Sequence, residues 1–423
     1  MARFEQNFLT AIDIGSAKTC ALVAELTETG LRYCGHGISD ARGSRKGVIV
    51  DLDKAAASVQ RAVEQAEQMV GAPVERALVG VAGPHVRGIN SRAGISLGSR
   101  PREIGRDEIR AAVERARAFN LPEDRQTLHL LPQQFILDEQ DGIRDPEGMV
   151  GTRLEAQVHV VTTSATAAQT VVTALNRAGI HVDDTIYEPL AAAEAILRPD
   201  ERELGICLAD IGAGTTDLVV YYEGAVAHTG VVPIGGDHFT NDVAVGLRTP
   251  IADAEKIKKS FGCAVVTKIP ETNEVEVPSV GDNPSRLMPQ RFLCEVLQAR
   301  TQELFEHLRD NLRHAGVLEL CGAGIVLTGG GARLTAIAET AEQILRRPVR
   351  LPLPAPVDKM PAELAAPEFA AVIGMIFYGN RMRMARSAQE QGFTARLRAL
   401  FARKTGWPGT NPATSDQRRS GAH

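Results

Sequence analysis

The sequence predicts an α/β fold in two similar halves, with a smaller α+β domain inserted into the first half. Three observations predict it. A short frame, Asp-Ile-Gly-x-x-x-Thr, occurs near the N-terminus and again near the middle. Apolar runs of strand length alternate with segments of helical period through both halves. From 84 to 159 the pattern changes to short strands, one charged helix and an acidic, Gly/Pro-rich loop.

A chain of 423 residues suggests two or more domains with ample core. Hydrophobic residues make up 44% and charged residues 23%, the balance of a soluble globular protein. The formal net charge of -5 gives no global basic character, so nucleic acid is not an expected partner. The six cysteines are scattered without a Cys-x-x-Cys pair, which fits small core residues in a reducing cytosol and implies no zinc site. The first residues do not read as a signal peptide, and no apolar run is long enough to span a bilayer.

The first copy of the frame is Asp13-Ile14-Gly15-Ser16-Ala17-Lys18-Thr19, and the second is Asp210-Ile211-Gly212-Ala213-Gly214-Thr215-Thr216. Each leaves one apolar run and enters another, the pattern of a hairpin. The small residues bring bare backbone N–H groups and hydroxyls to the tip. Successive N–H groups form an anion-binding concavity, so each tip can wrap phosphate oxygens. The Asp ending each first strand, Asp13 and Asp210, can hold a Mg²⁺-bound water. A single Asp-x-Gly is usually only a turn; two copies in matching frames are the stronger signal.

The stretch 42–50 is basic and Gly-punctuated, and helical spacing follows over 54–70. Ala77 to Ala82 reads as a buried strand. The insertion then begins at Gly83-Pro84, and its lone histidines, His129 and His159, read as packing residues. Val158 to Val161 reads as the strand that returns the chain to the first domain, and 162–179 as a helix. Glu188 precedes Pro189, a residue suited to the first turn of a helix. Its carboxylate either aims into a cleft or complements the helix dipole.

In the second half, Gly235-Gly236-Asp237 opens a helix that can approach phosphates. The helix over 249–262 carries Glu255 and Lys258 at i and i+3, on one face. A long amphipathic helix spans 291–314. The run 324–334 reads as a buried strand, then Gly329-Gly330-Gly331 and Arg333. Three glycines let backbone lie flat against a planar or phosphate ligand.

The first hairpin, the Glu188-Pro189 helix start, the second hairpin, the Glu255–Lys258 helix and the Gly-Gly-Gly turn, in this order, resemble the actin-like nucleotide-binding fold shared by actin, DnaK-type chaperones and sugar kinases. In it, duplicated ribonuclease H-like mixed sheets flanked by helices close on ATP·Mg²⁺. The phrases at 79–91, 228–242 and 246–250 are further similar to the FtsA family of bacterial cell-division proteins, and the resemblance covers most of 8–385.

The resemblance implies a first actin-like domain at 1–83 and 160–203, with an inserted subdomain at 84–159. It implies a second domain at 204–242 and 306–385, with an outer subdomain at 243–305. Asp13, Gly15, Ser16, Lys18 and Thr19 would form the first phosphate loop, with Lys18 as a point charge for the β- and γ-phosphates. Asp210, Gly212, Gly214, Thr215 and Thr216 would form the second, with Asp210 and Asp13 near Mg²⁺ through water. Gly235 and Gly236 would lie by the phosphates. Glu255 and Lys258 would face the ribose and adenine, and Gly329, Gly330, Gly331 and Arg333 would close over the adenosine. Glu188 matches the water-positioning carboxylate of DnaK-type relatives. The family resemblance implies ATP binding with at most weak hydrolysis, and phosphoryl transfer depends mainly on positioning and charge neutralisation.

Near the C-terminus, Phe393, Leu397, Leu400 and Phe401 fall on one helical face. Arg396, Arg398, Arg403 and Lys404 flank it. Basic residues beside an apolar face describe a helix lying in an anionic membrane surface, or one packed on the body or on a partner. The family resemblance implies the former: a linker at 386–392, a membrane-targeting helix at 393–407 and a disordered tail at 408–423. It also implies the partners: FtsZ through its C-terminal peptide, further copies of the chain in a filament, later divisome proteins and anionic lipid. The expected location is the cytoplasmic face of the inner membrane at the division site. A PilM-like pilus-assembly scaffold and a sugar-kinase-like phosphotransferase are the alternatives. The basic C-terminal face argues against the first, and the lack of a polar sugar-pocket cluster argues against the second.

Overall fold

The computed structural model describes residues 7–118, 121–281 and 283–385. The chain divides into two compact units, 1–379 and 380–423. The described residues of the second unit, 380–385, are helical.

Two five-stranded sheets share one topology. In the first, the order is His181–Tyr187, Arg76–Val81, Phe8–Ile14, Lys18–Thr27, Gly30–Asp40. In the second, read from the matching end, it is Val349–Arg350, Gly324–Thr328, Ile206–Ile211, Thr216–Tyr222, Ala225–Val232. In both, the first hairpin and its following strand are antiparallel, and the strands on the other side are parallel. The repeated frame is thus the centre of a repeated sheet. The apolar runs beside it pair in matching register, Asp13 opposite Cys20 and Asp210 opposite Asp217.

Each sheet is covered on both faces. Helices Leu52–Val70 and Ala165–Arg177 cover the outer face of the first. Asp51 caps the former, its side chain accepting from the Lys54 N–H, and Gly71 ends it in a left-handed conformation. Helices Gly236–Leu247, Ile251–Phe261, Gln290–His314 and Ile337–Leu345 serve the second. Between the sheets lies the largest cluster, built on helix Glu188–Ile196 and on a helix over 370–379. The first of these is apolar almost all round, as a helix buried on every side requires.

The insertion is a four-stranded antiparallel sheet, ordered Gln140–Ile143, Arg125–Leu137, Arg153–Ser164, Arg87–Ser96. Helix Arg106–Arg117 packs on it over a separate small core. The strand expected to leave the insertion at 159 runs unbroken to Ser164, paired on both sides. Val158 to Val161 is the middle of a longer strand, so the apolar run carries no boundary.

The insertion also touches the second lobe. Asn90 Nδ2 donates to the Ala227 carbonyl at 3.0 Å and Gln133 Nε2 to the Val226 carbonyl at 2.7 Å. His159 lies 3.0 Å from Thr229 Oγ1 and 2.6 Å from Asn90 Oδ1. His129 Nε2 accepts the Tyr187 N–H at 2.9 Å. Both histidines are buried and bonded, and burial pushes them down to about 4 for His129 and about 3 for His159. They are structural.

Candidate functional site

The carboxyl ends of the central strands of both sheets meet at a cleft of about 540 Å³. The two hairpin tips face each other across it. At the first, a Cβ on Gly15 would stand 2.8 Å from the Lys18 carbonyl oxygen, so only glycine closes this turn. At the second, the Gly212 N–H donates to the Thr215 carbonyl at 2.9 Å. The first amides of the next helix brace it: Gly236 N–H to Gly212 O at 2.9 Å, and Asp237 N–H to Ala213 O at 2.8 Å.

The basic stretch after the first sheet lies across both tips. Its Gly47 N–H donates to Ser16 Oγ at 3.0 Å. Its Lys46 backbone lies so close that a Cβ on Gly214 would be 2.4 Å from Lys46 Cα.

Four carboxylates gather at the cleft floor: Asp13, Glu188, Asp210 and Asp217. Burial is the first cause that raises each of them, and mutual repulsion adds to it for Glu188 and Asp210. Asp13 is pushed up to about 6, Asp210 to about 7 and Asp217 to about 6, while Glu188 is raised well above the usual range. Lys18 is held below its ordinary value by burial, against the pull of Asp13. Neither Asp13 Oδ1 nor Lys18 Nζ has a hydrogen-bond partner. An unpaired buried acceptor and an unpaired buried ammonium in one cleft are groups that a bound ligand would satisfy.

At the far end, Lys258 Nζ pairs with Glu255 Oε2 at 2.6 Å and donates to the Gly236 carbonyl at 3.0 Å. Arg333 pairs with Glu368 at 2.5 Å. Gly329 has a φ of +83°, and a Cβ there would meet Asp210 Oδ1 at 2.2 Å. The Gly-Gly-Gly turn therefore packs its backbone directly on the second hairpin.

Of the residues singled out from sequence, Asp13, Gly15, Ser16 and Lys18 line the cleft from the first lobe, with Glu188. Asp210, Gly212, Gly214, Thr215 and Gly236 line it from the second, and so do Glu255, Lys258, Gly329, Gly330, Gly331 and Arg333. Three do not. Thr216 is buried and donates to the Ile234 carbonyl at 2.8 Å. Thr19, its counterpart opposite Ile14, is fully buried. Side chains alternate along a strand, so the last residue of each frame turns into the sheet. Gly235 backs the second tip, its N–H donating to His238 Nδ1 at 3.1 Å. The amides of Gly235 and Gly236 are thus hydrogen-bonded within the protein.

Sequence reasoning missed Asp217, His85 and Glu368, which also line the cleft. Asp217 had a signal: the second frame continues into Asp217 where the first has Cys20, and an acid in a buried strand needs a partner. The residues Phe393, Arg396, Leu397, Arg398, Leu400, Phe401, Arg403 and Lys404 lie outside the described residues. Among the described residues, no group of three or more His, Cys, Asp or Glu could by itself hold a metal ion, and no helix is long and apolar enough to cross a membrane.

The fold is similar to that of PilM in a PilM–PilN type IV pilus biogenesis complex, with a TM-score of 0.63 and 18% identity over 88% of this chain and 98% of that one. It is similar to MreB5 of Spiroplasma citri, with a TM-score of 0.53 and 15% identity over 89% of this chain and 97% of that one. Duplicated sheets around a cleft of paired hairpins, with these neighbours, define an actin-like protein.

Sequence comparison narrows the class. Residues 207–374 match the model of "Cell division protein FtsA", and 83–162 match that of the "SHS2 domain inserted in FTSA". The chain is 42% identical to Cell division protein FtsA of Pseudomonas aeruginosa over 88% of its length and 89% of that protein. It is 33% identical to that of Escherichia coli K12 over 95% of its length and 98% of that protein. The chain belongs to the FtsA family of cell-division proteins.

Proposed function

We propose that the chain is an ATP-binding, polymerising subunit that tethers FtsZ filaments to the cytoplasmic face of the inner membrane and recruits later division proteins. The observation that carries this reading is the pair of Asp-Gly hairpins facing one cleft, in a chain of the FtsA family. MreB5 of Spiroplasma citri, of the same fold, has been solved with ADP and with AMPPNP.

In this reading the hairpin tips cradle the phosphates, and Lys18 neutralises the outer ones. Glu255, Lys258, Gly330 and Arg333 flank the adenosine. The buried carboxylates suit a divalent cation, because a nearby positive charge removes the repulsion that raises them. Mg²⁺ would be held through water by Asp13 and Asp210 and by the phosphates, no direct three-ligand cluster being present among the described residues. Bound there, it would neutralise phosphate charge. Glu188 would position a water, and hydrolysis would be weak at most. The apolar and basic face at 393–404 would lie in the anionic lipid surface. A filament sums many weak membrane contacts into stable attachment.

Liposome co-sedimentation tests this directly. Anionic vesicles, ATP·Mg²⁺ and the full chain should bring down a labelled FtsZ C-terminal peptide, and neutral vesicles should not. Failure to carry the peptide, with the chain itself sedimenting, would overturn the tethering role.

A further inference from the structure

Lys18 Nζ stands 3.3 Å from the centroid of the Phe369 ring. The ammonium has three donors and no acceptor, and none of the donors has a partner. Asp13, Glu368 and Asp210 are close enough to act on its charge, yet none takes a hydrogen bond from it. A desolvated ammonium with free donors needs another source of stabilisation. The face of an aromatic ring supplies one, because its quadrupole attracts a cation within about 6 Å. A carboxylate would capture the donors; a ring face holds the charge and leaves them available.

Phe369 is well fixed. It ends a 3-10 turn, Pro367–Phe369, and is 7% exposed within the central apolar cluster. The turn is tied to the second lobe. The Pro367 carbonyl accepts from the Gly329 N–H at 3.2 Å and from Thr328 Oγ1 at 3.1 Å. Lys18 belongs to the first lobe's hairpin. A cation of one lobe therefore rests on a ring anchored to the glycine turn of the other.

We propose that Phe369 is a positioning residue: it holds the Lys18 ammonium by a cation–π contact, with its donors free for the terminal phosphates of a nucleoside triphosphate. This rests on the phosphate role given to Lys18 above. The ring's turn is bonded to the second lobe's glycine turn while the ring itself lies in the cluster between the sheets, so the contact holds Lys18 at the junction of the two lobes.

The test replaces Phe369 in the full chain by 4-fluoro-, 3,5-difluoro- and 3,4,5-trifluorophenylalanine. These keep the shape and apolar character of the side chain while draining the negative ring face. ATP affinity should fall stepwise with fluorine number, by about tenfold over the series. Adenosine affinity should stay constant, which a merely structural role would not produce. Phe369→Leu should lose ATP affinity to the same extent as the trifluoro variant. ATP affinity independent of fluorine number, or adenosine affinity falling in parallel, would overturn the proposal. Lys18→Ala separates the two layers. If it binds ATP like the unaltered chain, the phosphate role of Lys18 fails and the inference fails with it. If it loses ATP while the fluorine series is flat, only the role of Phe369 fails.

Discussion

Asp217 Oδ1 accepts the backbone N–H of Gly83 at 2.8 Å, so a carboxylate of the second lobe's hairpin grips the turn where the first lobe opens into the insertion. Its Oδ2 takes the Thr215 hydroxyl hydrogen at 2.7 Å. Two residues on, the His85 carbonyl accepts from the Arg125 guanidinium at 3.2 Å, and Arg125 also donates to the Thr162 carbonyl at 3.0 Å. One short turn thus joins the second hairpin, the cleft wall and the entry and exit strands of the insertion. The two hairpins are not equivalent: the first has Cys20 where the second has this clamp.

Asp217→Ala should therefore destabilise the chain. It leaves a buried N–H and a buried hydroxyl without partners, a loss of about 2 kcal/mol. Urea denaturation of the ligand-free chain measures it. An unchanged midpoint would show that the Gly83 amide finds another acceptor and that the clamp is dispensable.

Asp210 predicts the opposite sign. It sits in the same carboxylate cluster, and no hydrogen bond to its side chain offsets its burial among the described residues. Its value is pushed up from 3.8 to about 7, first by burial and then by Asp217 and Asp13. In the ligand-free chain the folded state keeps a proton that the unfolded chain has already released. That contribution to stability is fully present below about pH 4 and is lost as pH rises through about 7. His129 and His159 tilt the other way below pH 6.5, so the raw pH profile mixes the two. The variant separates them. Asp210→Asn should match the unaltered chain below about pH 4 and exceed its stability by on the order of 2–4 kcal/mol at pH 8. ATP·Mg²⁺ affinity should meanwhile fall at least about tenfold, the usual trade between stability and site function. A stability difference that does not grow with pH would show that Asp210 is not strained by its neighbours.

Much of this was legible in the sequence, for reasons that differ by element. The hairpins announced themselves because a tight turn between buried strands needs small residues at set positions, and the chain repeats them at Gly15 and Gly212. The Glu255–Lys258 pair followed from helical spacing alone. The resemblance places Thr19 and Thr216 in the phosphate loops, and the strand's two-residue alternation buries both side chains. The strand read at Val158 to Val161 is the middle of a longer one, Arg153–Ser164, because a short apolar run does not show where a strand ends. The contacts that tie the lobes together had no local signal. Asp217 meets Gly83 across 134 residues, and Lys18 meets Phe369 from the other end of the described chain.

The membrane reading has its own test. Phe401→Glu places a charge in the apolar face at 393–401. An in-plane amphipathic helix tolerates no charge there, so binding to anionic liposomes should be lost while the melting temperature stays unchanged. Binding retained by this variant would assign the basic C-terminal stretch to a protein contact instead.

Gly374 gives a last prediction, in which two physical effects oppose each other. It lies inside the helix over 370–379, where glycine is about 1 kcal/mol worse than alanine. On propensity alone, Gly374→Ala should stabilise. A Cβ there, however, would stand 1.8 Å from the Ala191 carbonyl oxygen and 2.3 Å from its carbon. Both atoms belong to the backbone of helix Glu188–Ile196, so no rotamer change relieves the clash. The two central helices would have to separate, opening the cluster between the sheets at a cost of about 3 kcal/mol or more. Packing should outweigh propensity. The same shift would carry Glu188, the first residue of the displaced helix, away from Gly80, against which its side chain now lies. Gly374→Ala should therefore lower both the urea midpoint and ATP affinity. A stabilised variant would mean that the helices cross with more room than 1.8 Å allows.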